Sequence, residues 1–248
     1  MMKILVLDIG GTKVKALVTG ESTPRKMPSG TELTPERLVE GVRELAKDWS
    51  YEALSIGYPG MVRANGPHSE PGNLGPGWVG FNFAAAFDRP VRIINDAAMQ
   101  ALGSYEGGRM LFLGLGTGLG STLIADNVIV PLELGRLQRK GKQTWGETLS
   151  RQGLKQRGKT AWLRDLGALV TELHDAFLAD YVVLGGGNAK KLKQPDDLKN
   201  LPPGVRLGGN LTAFRGGFRL WGLEDVATLS ATDSQLQTDS ERPEWRLL

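Results

Sequence analysis

The stretch LVLDIGGTKVKALV, residues 5–18, decides how this chain is read. An apolar run ends in Asp8, two glycines, a threonine and a lysine follow, and a second apolar run begins. Apolar segments joined by a glycine-rich turn predict a β-hairpin. Asp8 closes the first strand, where a carboxylate is costly without a partner. Backbone N–H groups in a glycine turn can converge on a phosphate, because no side chain keeps the oxygens away. An ordinary turn is the alternative reading of Gly10 and Gly11.

The pattern recurs. Residues 110–127, MLFLGLGTGLGSTLIADN, again give a strand, a Gly/Thr turn and a second strand. An extended segment follows each hairpin, TGESTPRKM in the first and ADNVIVPLEL in the second. Downstream of the first, TPERLVEGVRELAKDW predicts a helix. Thr34 can cap it, Pro35 fits its first position, and Glu36 suits its positive end. Leu38, Val42, Leu45 and Trp49 then share one face. The strand ALSIGYPG comes next. In the second half the same places are taken by LRDLGALVTELHDAFLA and YVVLGGG.

Between the units, FNFAAAFDRPVRIINDAAMQALGSYEGG predicts a short helix, the strand VRII, and a helix after Asn95-Asp96. The junction is expected near Gly107-Gly108. NLTAFRGGFRLW is read as a final helix despite its glycines, and the polar tail from Leu223 as weakly ordered. Duplicated hairpin–helix–strand units predict two related α/β lobes with a central cleft. Ligands of such folds tend to sit at the carboxyl ends of strands, where these glycine turns lie.

Composition narrows the function classes. The chain of 248 residues has room for one large domain or two small ones, and 40% hydrophobic with 23% charged residues suits a globular protein. Without cysteine there is no disulfide framework, thiolate zinc site or cysteine nucleophile. His68 and His174 are too few for a histidine-built metal site without carboxylate help. The run ILVL before Asp8 is too short for a signal peptide core or a membrane span, so a cytoplasmic protein with no membrane partner is expected. From Arg136 to Arg164 nine basic residues face one acid, Glu147. That stretch reads either as a solvated helical surface or as a polyanion site.

Several residues can carry chemistry. Asp8 is a natural carboxylate for magnesium, directly or through water. Thr12 adds a hydroxyl and Lys13 a cation. GLGTGLG, Gly114 to Gly120, alternates four glycines in seven residues, more than a turn needs. Facing each other across a cleft, the two turns would clamp a phosphoryl donor. Asp96 reads as a helix N-cap or as the base for an attacking hydroxyl, and the two are compatible. Glu133 is a further carboxylate. Asn73, Asn95, Asp96 and Glu133 form a set able to grip pairs of sugar hydroxyls, although Asn73 also suits a turn.

Taken in order, LDIGGTKVKALV, GYPGMV, NLGPGW, IINDAAMQAL, LGLGTGLGSTLIADN, PLELG and VVLGGGN resemble the ROK family of sugar kinases. Residues 57–134 look most like its polyphosphate glucokinases. The resemblance covers about residues 3–222. It implies an α/β, two-lobed, actin-like (hexokinase/ribonuclease H-like) fold with duplicated βββαβα units and a central cleft. Residues 1–108 with 211–222 would form the N-terminal lobe, 109–210 the C-terminal lobe, and 223–248 the tail. It implies that Asp8, Gly10, Gly11, Thr12 and Lys13 belong to the first phosphate loop, and Gly116, Thr117 and Gly118 to the second. Gly186 and Gly187 match a loop near the nucleotide of ATP-using members. Asp96 matches the catalytic base acting on the 6-hydroxyl of glucose. Gly60, Asn73, Asn95, Glu133, Arg136 and Glu147 fall at or beside sugar-binding positions.

The implied cofactors are magnesium, managed by Asp8, and ATP or polyphosphate as donor. The implied partner is a small sugar, with a homodimer common in the family. No helix-turn-helix precedes Asp8, so a nucleic-acid partner is not expected. Two departures stand out. The ELGH pattern of many members is ELGR here, with Arg136, and neither zinc ligand histidine nor cysteine cluster is present. A further sugar-binding glutamate aligns with Gly146, with Glu147 one residue off. These departures leave two alternatives open: a non-catalytic sugar- or phosphate-sensing protein, or a kinase for another hexose.

Overall fold

A computed structural model describes residues 2–139, 141, 143–192, 194–199, 201–209, 211–223 and 245–248. The chain divides into two compact units, Met1–Gly103 with Ala213–Trp245, and Ser104–Thr212 with Arg246–Leu248.

The first unit opens with β1 (Ile4–Ile9), β2 (Lys13–Val18) and β3 (Arg25–Pro28), an antiparallel run. Helix α1 (Pro35–Leu45) follows, then β4 (Ala53–Tyr58), a ribbon of β5 (Val62–Arg63) and β6 (Gly66–Pro67), α2 (Phe83–Phe87), β7 (Val91–Asn95) and α3 (Asp96–Ser104). The sheet order is β3-β2-β1-β4-β7, with β1, β4 and β7 parallel. Every residue of β1 and β4 is buried, as expected for strands covered on both faces. The start of α1 is as its sequence dictates. Thr34 Oγ1 accepts from Arg37 N–H and Pro35 takes the first turn, so Leu38, Val39 and Val42 are buried in a core with Leu5, Leu7, Leu54 and Ile56.

The second unit repeats the plan with β8 (Met110–Leu115), β9 (Leu119–Ala125) and β10 (Val128–Leu132), again antiparallel. A 3₁₀ turn (Leu134–Arg136), α4 (Trp145–Leu149) and α5 (Arg151–Ala176) lead to β11 (Tyr181–Gly185), α6 (Gly186–Ala189), α7 (Pro195–Leu198) and β12 (Val205–Leu207). The order β12-β11-β8-β9-β10 mirrors the first sheet, so the duplication seen in the sequence is a duplication of topology. Trp162, Leu166, Leu169 and Val170 of α5 pack on Leu111, Leu113, Val182 and Leu184. Helix α5 starts twelve residues before the expected Leu163. Ser150 Oγ caps it by accepting from Gly153 N–H at 2.9 Å, and it is broken at Gly158, whose φ is 75°.

Helix α8 (Thr212–Arg219) packs back on the first unit, burying Phe214 and Phe218. Its glycines weaken the helix but allow contact. A Cβ on Gly216 would overlap the carbonyl oxygen of Met99. The buried Ser55 hydroxyl donates to Gly217 O at 2.6 Å and accepts from Trp221 Nε1 at 2.9 Å, fixing the end of this segment.

Most of the tail read as weakly ordered, residues 224–244, lies outside the described residues. Its end departs from that reading. Strand β13 (Arg246–Leu247) adds in parallel to β10, because that edge offers unpaired backbone donors and acceptors. Among the described residues no helix is long and apolar enough to cross a membrane.

Candidate functional site

In the first unit the expected residues gather at the carboxyl ends of β1, β4 and β7. Asp8 sits next to last in β1 and is buried. Its cross-strand neighbour is Lys15, and the ammonium lies 2.7 Å from the carboxylate. Lys15 is thus the partner Asp8 needs. The turn Gly10-Gly11-Thr12 is tied to the segment after β3: Ser29 Oγ donates to Gly10 O at 2.5 Å and Ser29 N–H to Thr12 O at 3.2 Å. Thr12 and Lys13 are exposed at the turn.

Asn73 lies in the loop after β6, with its amide against Gly11, where a Cβ would overlap it. The loop is held from several sides. Glu70 accepts from Trp78 N–H at 3.2 Å and Val79 N–H at 3.1 Å, Trp78 Nε1 donates to Gly75 O at 2.7 Å, and Gly75 N–H donates to Leu33 O at 3.0 Å. Tyr58 anchors its start, donating to Ser69 O at 2.8 Å. Burial, and then the nearby charge of Glu70, push the Tyr58 phenol well above its ordinary value, so it stays a donor.

Asn95 ends β7. Its Oδ1 accepts from Ala97 N–H at 2.9 Å and Ala98 N–H at 3.2 Å, and its Nδ2 donates to Gly60 O at 3.0 Å. The N-cap of α3 is therefore Asn95. Asp96 stands one residue further on, at the first position of the helix, with its Oδ1 2.8 Å from Ala97 N. The capping role read for Asp96 moves to Asn95 because an asparagine side chain at the end of a strand reaches the N–H three residues on.

In the second unit, Gly116, Thr117 and Gly118 form the β8–β9 turn, closed by Gly116 N–H donating to Gly118 O at 3.0 Å. The Gly116 carbonyl accepts from Arg151 N–H at 2.9 Å and from Asn188 Nδ2 at 3.4 Å. Both φ angles at Gly116 and Gly118 are ordinary, and open space surrounds each of them. Nothing in the fold requires glycine there, as it would at a tight packing contact. Gly186 and Gly187 begin α6, and Gly187 lies beside the Arg151 guanidinium.

Glu133 precedes the 3₁₀ turn and Arg136 ends it, and both are exposed. Ser121 holds this turn by donating to Leu132 O at 2.8 Å and accepting from Leu134 N–H at 3.0 Å. Glu147 has a local structural role. Its carboxylate accepts from Thr144 N–H at 2.8 Å while Thr144 Oγ1 accepts from Glu147 N–H, a capping box at the start of α4. A Cβ on Gly146 would stand 2.9 Å from Gly135 O, so backbone fills the place where an aligned glutamate would begin.

The basic stretch resolves into two classes. Arg139 and Arg157 pair with Asp165, and Lys159 with Asp197. Arg151 and Lys155 are exposed on α5, Arg151 next to the Gly116 turn. Lys140 and Lys142 lie outside the described residues. As for magnesium, no three His, Cys, Asp or Glu side chains among the described residues stand together to hold an ion. A lone Asp8 fits an ion that arrives with phosphates and keeps its waters, rather than one caged by protein.

The chain has relatives among known proteins. The family model described as "ROK family" matches residues 4–131. A polyphosphate glucokinase of Mycobacterium leprae (strain TN) is 25% identical over 208 residues, covering 75% of this chain and 63% of that relative. The chain thus spans less than two thirds of that relative's length. An N-acetylmannosamine kinase of Escherichia fergusonii is 30% identical over 149 residues, covering 52% of this chain and 50% of that protein. Among solved structures, an inorganic polyphosphate/ATP-glucomannokinase from Arthrobacter sp. strain KM superposes with a TM-score of 0.72 at 25% identity, covering 87% of this chain and 96% of that one. The fold is the two-lobed, actin-like α/β fold of the ROK sugar kinases. With duplicated sheets, glycine turns at equivalent strand ends and a family match across half its length, the chain belongs to the ROK family.

Proposed function

We propose that the chain is a sugar kinase that transfers a phosphoryl group from polyphosphate or ATP to the 6-hydroxyl of a hexose, with glucose the first candidate. The observation that carries the reading is the Gly116–Gly118 turn, where glycine is kept although the fold leaves the space beside it open. The open space lets phosphate oxygens approach the turn's backbone closely, apart from the Gly116 N–H, which is used within the turn.

In this reading Asp96 takes the proton of the attacking hydroxyl as that oxygen forms its bond to phosphorus and the terminal P–O–P bridge breaks. Asn73, Asn95 and Glu133 orient the sugar, and the Gly10–Thr12 and Gly116–Gly118 turns hold the donor. Magnesium bound with the donor would neutralise phosphate oxygens, with Asp8 the carboxylate at hand and Lys15 its counterion otherwise. Polyphosphate is favoured by the M. leprae similarity and by the exposed Arg151 beside the turn, while the Arthrobacter similarity suits either donor. Both donors point to a cytoplasmic reaction.

A second reading, a sensor without turnover or a kinase for another hexose, draws on Arg136 and on the use of Glu147 as a cap. The deciding assay is phosphoryl transfer from ATP and from polyphosphate to glucose, mannose and N-acetylmannosamine with magnesium. Sugar 6-phosphate from either donor supports the kinase. Ligand binding to every partner with no product from any pair supports the sensor.

A further inference from the structure

One acid organises the basic stretch. Asp165 lies on α5 with 5% exposure, and its two oxygens serve two arginines. Arg139 Nη2 donates to Oδ1 at 2.8 Å and Arg157 Nη2 to Oδ2 at 2.5 Å. The arginines come from different segments. Arg139 follows the Glu133–Arg136 turn by three residues, and its N–H donates to Gln143 O at 2.8 Å, closing the loop that leads to α4. Arg157 is the last residue before the break at Gly158, where φ is 75° and ψ is 162°.

That break matters. A continuous helix would fix residues 151–157 through its hydrogen-bond ladder, but a residue with left-handed φ interrupts it. The short helix is instead held at its far end by the Arg157–Asp165 pair. At its near end Arg151 N–H holds Gly116 O, in the glycine turn itself. One buried carboxylate is thereby linked to both segments of this unit that would face ligands.

We propose that Asp165 is a positioning residue for the reaction. Through Arg157 it sets the 151–157 helix and the Gly116–Gly118 turn. Through Arg139 it sets the Glu133–Arg136 turn. The assignment of those turns to donor and sugar rests on the kinase reading; the mechanical link does not.

The test separates the two arms. Arg157→Gln is expected to raise the KM for polyphosphate on the order of tenfold, with the sugar KM changed less than about twofold. Arg139→Gln is expected to do the reverse. Each leaves Asp165 its other hydrogen-bonded arginine, with Arg164 Nε 4.0 Å from Oδ1 besides, so both should fold even where Asp165→Asn, which removes the charge facing all of them, does not. Hydrogen exchange read by mass spectrometry supplies a measure independent of turnover. Residues 114–118 and 151–157 should exchange faster in Arg157→Gln and stay protected in Arg139→Gln.

Equal shifts of both KM values in both variants, or unchanged exchange at residues 114–118 in Arg157→Gln, would overturn the proposal. If the wild-type protein shows no turnover, the kinase reading falls and the exchange pattern alone still decides the link.

Discussion

The amide of Asn73 occupies the space that a side chain at Gly11 would fill. The turn read as the first phosphate loop and the loop read as part of the sugar grip are therefore packed on each other within one unit. A change at Gly11 must be felt at Asn73. Gly11→Ala should raise the sugar KM on the order of tenfold by displacing the amide, while the melting temperature moves little. Unaltered sugar KM in steady-state kinetics would show that Asn73 does not touch the sugar.

Asp96 carries the sharpest chemical expectation. Asp96→Asn should lower kcat by about 10²–10⁴ while glucose still binds in calorimetry, since the amide keeps the shape but accepts no proton. Because Asn95 supplies the cap of α3, the variant should keep its helix. Wild-type turnover would remove Asp96 from the mechanism.

Gly146 tests why this chain departs from the glutamate expected there. Its missing side chain faces the Gly135 carbonyl at 2.9 Å, a backbone atom that cannot swing away. Gly146→Glu should therefore destabilise the protein by about 1–3 kcal/mol in urea unfolding rather than tighten sugar binding. Arg136→His, at an exposed site, should be tolerated, so its effect on sugar preference can be read directly.

Ser55 joins the first sheet to α8 and to the segment after it. Ser55→Ala strips a donor from Gly217 O and an acceptor from Trp221 Nε1 in a fully buried place. A loss of about 2 kcal/mol in unfolding free energy is expected, with the sugar KM unchanged.

Asp48 gives a pH signature. Its hydrogen bonds from Arg25 hold the carboxyl at about 2, below the ordinary aspartate value. A depressed folded-state value means that the contribution to stability is fully present above about pH 4 and is lost as pH falls towards about 2. An NMR titration of the Asp48 carboxyl should show a midpoint near that value, and a midpoint near 4 would mean the Arg25 pair does not persist in solution.

Much of this was legible in the sequence because the two hairpins repeat one pattern, and a repeated pattern fixes strand order twice. Thr34 and Pro35 marked the start of α1 for the same local reasons the structure shows. Two further features follow from local spacing. With Ile9 opposite Val14 across the turn, Asp8 falls opposite Lys15. Thr144 and Glu147 have capping-box spacing.

Other features were not readable locally. Residues 151–160, RQGLKQRGKT, are polar with two glycines, so the early half of α5 shows no apolar face. Asp165 gains its meaning only from Arg139, brought near by the fold. The helix α8 keeps glycines because Met99 lies against it, a contact between distant parts of the chain.

Strand β13 has a practical consequence. By pairing with Val128 and Ile129 it covers the start of the β10 edge, which would otherwise present open amides to other molecules. Residues 245–248 therefore act as a guard against edge-to-edge association. A preparation trimmed before Trp245 should be the more prone to aggregate on storage.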